Sequence, residues 1–325
     1  MKALKYSDIC LIPEFGQVAS RSECDPSVEV KGVKYKLPII PANMKAVVAQ
    51  RQCEWLSQNH FLYSMHRFDV DIGHFIDVAN RDGWRTVSIS VGVKAADKEV
   101  ISNIRTTGAK VDIITIDIAH GYSQAMQDML AFVRQKLGDD VCVIAGNVCT
   151  PDAVISLYNW GADYVKVGIG QGSPCTTKDK TGFTMPMFTC VRKCGECYAS
   201  RMEFSQGLRV PIIADGGVQC NGDVAKALVA GADLVMAGGL FAACSDSPAI
   251  SMEHNGAIHK AYFGSASFEN KKTNSHIEGT LKKIASNGVS LKKKMIEITE
   301  NLQSAISYGG GKDLSCLRKV KHMQL

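Results

Sequence analysis

Short apolar runs rich in β-branched residues recur along the chain, separated by longer stretches in which apolar positions return at helical spacing. Eight such runs are found: Leu37 to Pro41, Phe61 to Met65, Thr86 to Val91, Ile113 to Ile118, Val141 to Ala145, Tyr164 to Val167, Pro211 to Ala214 and Leu234 to Ala237. Runs that stay apolar without alternation are strands buried on both faces, and their alternation with helical stretches predicts parallel strands joined by crossover helices. The sixth and eighth are entered through nearly the same words, Gly161-Ala162-Asp163-Tyr164-Val165 and Gly231-Ala232-Asp233-Leu234-Val235, a helix-ending glycine followed by a buried strand. Eight units of one grammar predict an α/β protein, a single closed (β/α)8 barrel over residues 1–325, in preference to an open doubly wound sheet.

Successive strand centres lie about 22 to 29 residues apart, but the sixth and seventh are separated by roughly 47, more than a helix and short loops require. Loops that follow the strands of a barrel form its catalytic face, so the enlarged loop after the sixth strand, about residues 168–185, is a functional candidate before any motif is read. It opens Gly168-Ile169-Gly170-Gln171-Gly172-Ser173-Pro174-Cys175-Thr176-Thr177. Glycines let the backbone approach a ligand or cation, and a cysteine just beyond a strand's carboxyl end faces whatever binds there.

The seventh strand ends Ile213-Ala214-Asp215-Gly216-Gly217 and the eighth Met236-Ala237-Gly238-Gly239. Paired glycines at these carboxyl ends expose backbone N–H groups where barrels bind phosphate, and Asp215 is placed to accept from ribose hydroxyls.

Composition narrows the picture without deciding it. With 325 residues and 46% hydrophobic content the chain buries a large core, and its start lacks the apolar stretch of a signal peptide. Twelve cysteines, scattered and often inside apolar stretches, predict reduced thiols and a cytoplasmic location. The net charge of +5 and the run Lys292-Lys293-Lys294 are read as a solvated helix face and not as a nucleic-acid patch, since no aromatics interleave for base stacking. Neither a nucleic-acid nor a membrane partner is expected.

Other motifs bear on the chemistry. Gly168, Gly170 and Gly172 are spaced G-x-G-x-G with no helical pattern directly after them, so the Rossmann fingerprint fails. The spacing of Cys190, Cys194 and Cys197 is that of a radical iron–sulfur motif, but it falls between the sixth and seventh strands, on a segment predicted helical from about Met187 to Met202. No zincin, nucleophile-elbow or P-loop motif occurs.

The segment Val167 to Gly182 resembles the catalytic loop of the IMP dehydrogenase and GMP reductase family. Further landmarks follow in order: Asp8 to Pro13, Ser20-Arg21-Ser22-Glu23, Pro41-Ala42-Asn43-Met44, Asp117-Ile118-Ala119-His120-Gly121, Ala145-Gly146-Asn147-Val148, Asp215-Gly216-Gly217 and Tyr262-Phe263-Gly264-Ser265. Three features resemble the reductase branch. Cys175-Thr176-Thr177 is followed by Lys180-Thr181-Gly182, Met65-His66-Arg67 runs on without an inserted regulatory domain, and no Arg-Tyr dipeptide is present to activate water. The chain departs from many relatives at Pro174, at Ser275, where some reductases carry arginine, and at Lys45 after the Asn-Met pair.

The resemblance implies a purine-nucleotide oxidoreductase. It implies that Cys175 as thiolate adds to C2 of GMP, that ammonia leaves to give a covalent thioimidate, and that hydride from NADPH then releases IMP. It implies that Thr177 and Glu278 relay the proton, with the flap and C-terminal segment at about 264–325. It further implies substrate contacts from Asp215, Gly216, Gly217, Gly238, Gly239, Gly264 and Ser265. Cofactor contacts fall to Asp117, Ala119, Arg67, Ile169 and Gly170, with Ser20 and Arg21 reaching a neighbouring subunit. Carbonyls of Gly170, Gly172 and Cys175 resemble a monovalent-cation site for potassium, and a homotetramer is expected. IMP dehydrogenase activity and a catalytically silent nucleotide-binding barrel remain as alternatives.

Overall fold

A computed structural model describes residues 2–199, 208–272 and 275–325. Seven parallel strands form one curled sheet: Ile39–Pro41, Ser88–Val91, Ile113–Asp117, Cys142–Val148, Tyr164–Val167, Ile212–Asp215 and Leu234–Ala237. Ile39–Pro41 pairs with Leu234–Ala237, so the first run lies beside the eighth, the neighbour relation of a closed barrel and not of an open sheet. The α/β barrel expected from the eight runs is the fold observed.

The second run differs in detail. Residues 61–65 make a single bridge, Met65 to Ile89, in place of a full strand. Their polar side chain turns inward instead: the Ser64 hydroxyl lies 3.0 Å from Ser90 Oγ and 3.0 Å from Thr115 Oγ1. These side-chain bonds tie the second run to Ser88–Val91 and Ile113–Asp117.

Period-two alternation sorts each strand into an outward row and an inward row. Outward residues such as Ile114, Ile116, Val143, Val165 and Val235 pack against the surrounding helices in the main core. Ile40, Leu62, Ile113, Ile144, Ile213, Leu234 and Met236 fill the interior. A hairpin of Val28–Val30 and Val33–Tyr35 closes the amino end, with Val30 and Tyr35 joining that inner cluster. Burying each such side chain stabilises by about 1.5–3 kcal/mol. The filled lower interior leaves the carboxyl end of the barrel for ligands.

The helix expected from Met187 to Met202 is shorter, Met187–Gly195. It stops where Gly195 meets the backbone of Gly231, and a short strand, Tyr198–Ala199, follows and pairs with Leu208–Arg209. Ser200 to Met202 lie outside the described residues.

After the eighth strand, Ser251–His254, Ala257–Tyr262 and Lys282–Ala285 form a separate antiparallel sheet. The excursion between its last two strands carries Glu278. The lysine run opens the helix Leu291–Tyr308, which Ser290 caps by accepting from the Lys293 amide. Among the described residues no helix is long and apolar enough to cross a membrane.

Candidate active site

The loop after the sixth strand begins at Gly168, whose φ of +138° suits glycine and whose α-carbon is pressed against the Asp215 carbonyl. A turn closed by the Cys175 amide donating to the Gly172 carbonyl (3.0 Å) then presents Cys175 half-buried. The thiol donates to Thr177 Oγ1 at 3.2 Å, and the Thr177 hydroxyl donates to Glu278 Oε2 at 2.6 Å. Thiol, hydroxyl and carboxylate form one hydrogen-bonded line, an arrangement able to move a proton between sulfur and carboxylate.

Backbone pairing brings Glu278 there. The Thr176 amide donates to the Glu278 carbonyl and the Thr280 amide to the Pro174 carbonyl, both at 2.9 Å, so Cys175 and Gly279 face one another as an antiparallel bridge. Lys180 adds a third tie, its ammonium 2.6 Å from the Ile277 carbonyl. Pro174 accepts in this pairing without needing an N–H, so it is compatible with the docked flap.

Below the loop, the inward rows of three strands bring charge together. Lys166, 1% exposed, contacts Asp117 Oδ1 at 2.5 Å and Asp215 Oδ2 at 3.1 Å. Asn147 donates to the same Asp215 oxygen (2.9 Å) and to the Gly168 carbonyl (2.8 Å). Burial alone would raise the Asp117 carboxyl, but Lys166, helped by Arg67 and Asn43, holds it below the usual carboxylate range. Burial likewise opposes the Lys166 ammonium, and the two carboxylates outweigh it and push its pKa up.

The other candidate residues fall into three groups. Gly217 donates to the Gln171 carbonyl (3.2 Å), and Gly216 lies against the Gln171–Gly172 backbone. Gly238 and Gly239 begin a short turn beside Tyr262, and Gly264 lies beside Pro174 with its amide on Ser267 Oγ (3.1 Å), Ser265 following half-buried. Of these, Gly216, Gly217 and Gly264 lie against the loop that carries Cys175. Arg67 reaches the Asp117 carbonyl at 3.3 Å and covers the Phe68 ring, while its buried Nε has no partner among the described residues. Ala119 is exposed on the turn just after Asp117, and the Ile169 carbonyl accepts from Thr184 Oγ1 (2.9 Å) beside Gly170. Ser20 and Arg21 stand apart: Ser20 caps a short turn, and Arg21 bonds Ser304 and Tyr308 on the C-terminal helix.

The thiols of Cys190, Cys194 and Cys197 are buried in the packing between helix and barrel. Cys190 contacts the Cys149 carbonyl, and Cys197 contacts the carbonyls of Pro151 and Lys193. A hydrogen bond with Cys190, then burial, pushes the Cys194 thiol up, and burial pushes Cys197 up to about 11. Buried thiols of this kind act as small apolar side chains.

Comparison with known proteins decides the family. The profile of the IMP dehydrogenase / GMP reductase domain matches residues 3–325. The chain belongs to that family. Relatives named GMP reductase run the full length: that of Leptothrix cholodnii is 44% identical over 328 residues, covering 100% of this chain and 97% of its own. Those of Delftia acidovorans and Staphylococcus carnosus are 43% and 42% identical, with 97% and 96% of their lengths covered.

Two members of the site were missed in the sequence, Lys166 as a charge inside the barrel and Asn147 as its neighbour. The signal for Lys166 was present. A lysine flanked by Val165 and Val167 in a strand buried on both faces has nowhere to point except the interior. In this IMP dehydrogenase / GMP reductase domain it points between two carboxylates.

Proposed function

We propose that the chain is a GMP reductase, converting GMP to IMP and ammonia with NADPH as reductant. The observation that supports this most is the continuous line from Cys175 through Thr177 to Glu278, joined to full-length similarity with proteins of that name.

Moving one proton along that line leaves a thiolate at Cys175 and a neutral acid at Glu278. The thiolate adds to C2 of the guanine ring. The proton on Glu278 returns through Thr177 to the departing amine, and ammonia leaves with the electron pair of the C–N bond, giving a thioimidate. NADPH, when bound, supplies the hydride that C2 receives. The C2–S bond then breaks, IMP leaves, and Cys175 is again a thiolate that takes up a proton.

The glycine-lined loops carrying Asp215, Gly216, Gly217, Gly238, Gly239, Gly264 and Ser265 are read as the nucleotide cradle. Arg67, Asp117, Ala119, Ile169 and Gly170 are read as the cofactor side. The guanidinium of Arg67, whose buried Nε has no partner among the described residues, is a donor suited to a carboxamide or phosphate oxygen of NADPH. Neutral carbonyls of Gly170, Gly172 and Cys175 are the donor set that suits potassium, and they would hold the loop's shape around the nucleophile. Ser20 and Arg21 are exposed within one chain, as contacts to a neighbouring subunit of a homotetramer require.

The test follows NADPH absorbance with GMP, beside Cys175→Ala and a parallel incubation with IMP and NAD+. NADPH loss with IMP and ammonia formed, abolished in the variant, is the expected result. NADH formed from IMP would instead assign a dehydrogenase, and silence in both assays a nucleotide-binding barrel.

A further inference from the structure

The barrel floor holds a charge that the proton relay does not use. Lys166 is fully buried, and desolvating an ammonium is costly enough that well-packed apolar side chains often replace such groups without loss of stability. One carboxylate would neutralise it. Two are present, Asp117 at the end of the fourth strand and Asp215 at the end of the seventh, with Arg67 beside Asp117, so four ionisable groups are gathered at the carboxyl end of the barrel. That is a poor arrangement for stability alone.

Its geometry suits ligand placement better. Asp215 Oδ2 is occupied by Lys166 and Asn147, whereas Asp215 Oδ1 accepts nothing among the described residues. The carboxylate is thereby turned so that its remaining oxygen is available to a donor at the barrel mouth. Asp117 Oδ1 is held by Lys166, and Arg67 and Asn43 add smaller contributions that favour its ionised form. Asn147, bonded to both Asp215 and the Gly168 carbonyl, links the cluster to the first residue of the catalytic loop.

We propose that Lys166 is a positioning residue: its single ammonium fixes Asp215 on the nucleotide side and Asp117 on the cofactor side, and so sets both ligands in register with Cys175. This rests on the GMP reductase reading, in which Asp215 meets the ribose and Asp117 the cofactor. Lys166 touches neither ligand and acts through the two carboxylates.

The test uses the full-length protein and direct binding. Calorimetric titrations with GMP alone and with NADP+ in the presence of IMP are compared for wild type, Lys166→Met and Lys166→Arg, with folding checked by circular dichroism and thermal melting. Lys166→Met is expected to weaken each ligand roughly tenfold to a hundredfold, the loss that follows when a charged hydrogen-bond partner is removed. Lys166→Arg, which keeps the charge, is expected to fall between the two. Should Lys166→Met fail to fold, the double variant Lys166→Met/Asp117→Asn removes one of the crowded carboxylates, and weak GMP binding is still expected because Asp215 keeps only its Asn147 bond. A folded variant lacking the ammonium that binds both ligands within about twofold of wild type overturns the proposal. A wild-type protein that binds no GMP overturns the reading beneath it as well.

Discussion

Thr177 and Glu278 stand 101 residues apart in the chain and 2.6 Å apart in space, the hydroxyl of one donating to the carboxylate of the other. Because Cys175 donates in turn to Thr177, neither end of the line works without the middle. Glu278→Gln and Thr177→Val are each expected to lower kcat for NADPH oxidation by about 10²–10⁴-fold, the usual contribution of a positioned proton donor. The double variant should be little worse than the worse single, since both changes break one path. Steady-state kinetics on all three check this, and losses that simply multiply would mean two independent roles.

The alternation of buried runs and helical stretches made the barrel legible, because strands such as Ile113–Asp117 and Leu234–Ala237 follow the apolar pattern closely. The second run follows the apolar pattern yet makes only the Met65–Ile89 bridge, and Ser64 bonds Ser90 and Thr115, tertiary contacts that no local pattern records. Cys175 was visible from its place after a strand, whereas Glu278 was reachable only through the family resemblance, its contact being made by a flap that returns from far along the chain. Val165 and Val167 mark Lys166 as an inward lysine, but the carboxylates it meets, Asp117 and Asp215, stand on other strands and no local pattern joins them. The place of Arg21 depends on the C-terminal helix, which its own segment does not announce.

His66, 5% exposed, gives a pH signature. Burial, with Lys45 nearby, pushes its imidazole down to about 4 against the weaker upward pull of Asp69 and the Phe68 amide. The folded state therefore keeps His66 neutral in a range where the unfolded chain, with an ordinary pKa near 6.5, binds a proton. Its contribution to stability is fully present above about pH 6.5 and declines as pH falls to about 4, by up to about 3 kcal/mol. Wild type should lose melting temperature over that window more steeply than His66→Gln, whose amide oxygen still accepts from the Phe68 N–H. Parallel curves for the two proteins would assign the acid sensitivity to the carboxylates alone.

Exchange of potassium for a large organic cation tests the carbonyl set of Gly170, Gly172 and Cys175. The Gly172 carbonyl already accepts from the Cys175 amide, so the turn persists without the cation while its outer carbonyls repel one another. NADPH oxidation should fall, with circular dichroism unchanged, and potassium should restore it better than lithium, whose small size does not match a ring of carbonyls. Equal rates in every salt would remove the cation from the scheme.

Gly279 offers the strictest test of the docked flap. It faces Cys175 across the bridge, and a β-carbon there would lie within 2.3 Å of Ser267 Oγ and 3.1 Å of the Ser267 amide nitrogen. Ser267 cannot yield easily, being 0% exposed and engaged through its hydroxyl by the Gly264 amide. Gly279→Ala must therefore shift the flap, and because Glu278 is the adjoining residue the shift is carried directly to the Thr177 bond. A misplacement of about 1 Å in such a group costs about a hundredfold in rate, whereas the fold, whose core lies beneath, should melt within a few degrees of wild type. The expected pattern is a lowered kcat with GMP affinity largely retained. Gly279→Ala/Ser267→Gly removes the nearer obstruction and leaves the amide contact, so partial recovery of kcat is expected; no recovery would place the cause outside this contact, and an unimpaired single variant would show that the flap need not dock on Cys175 during turnover.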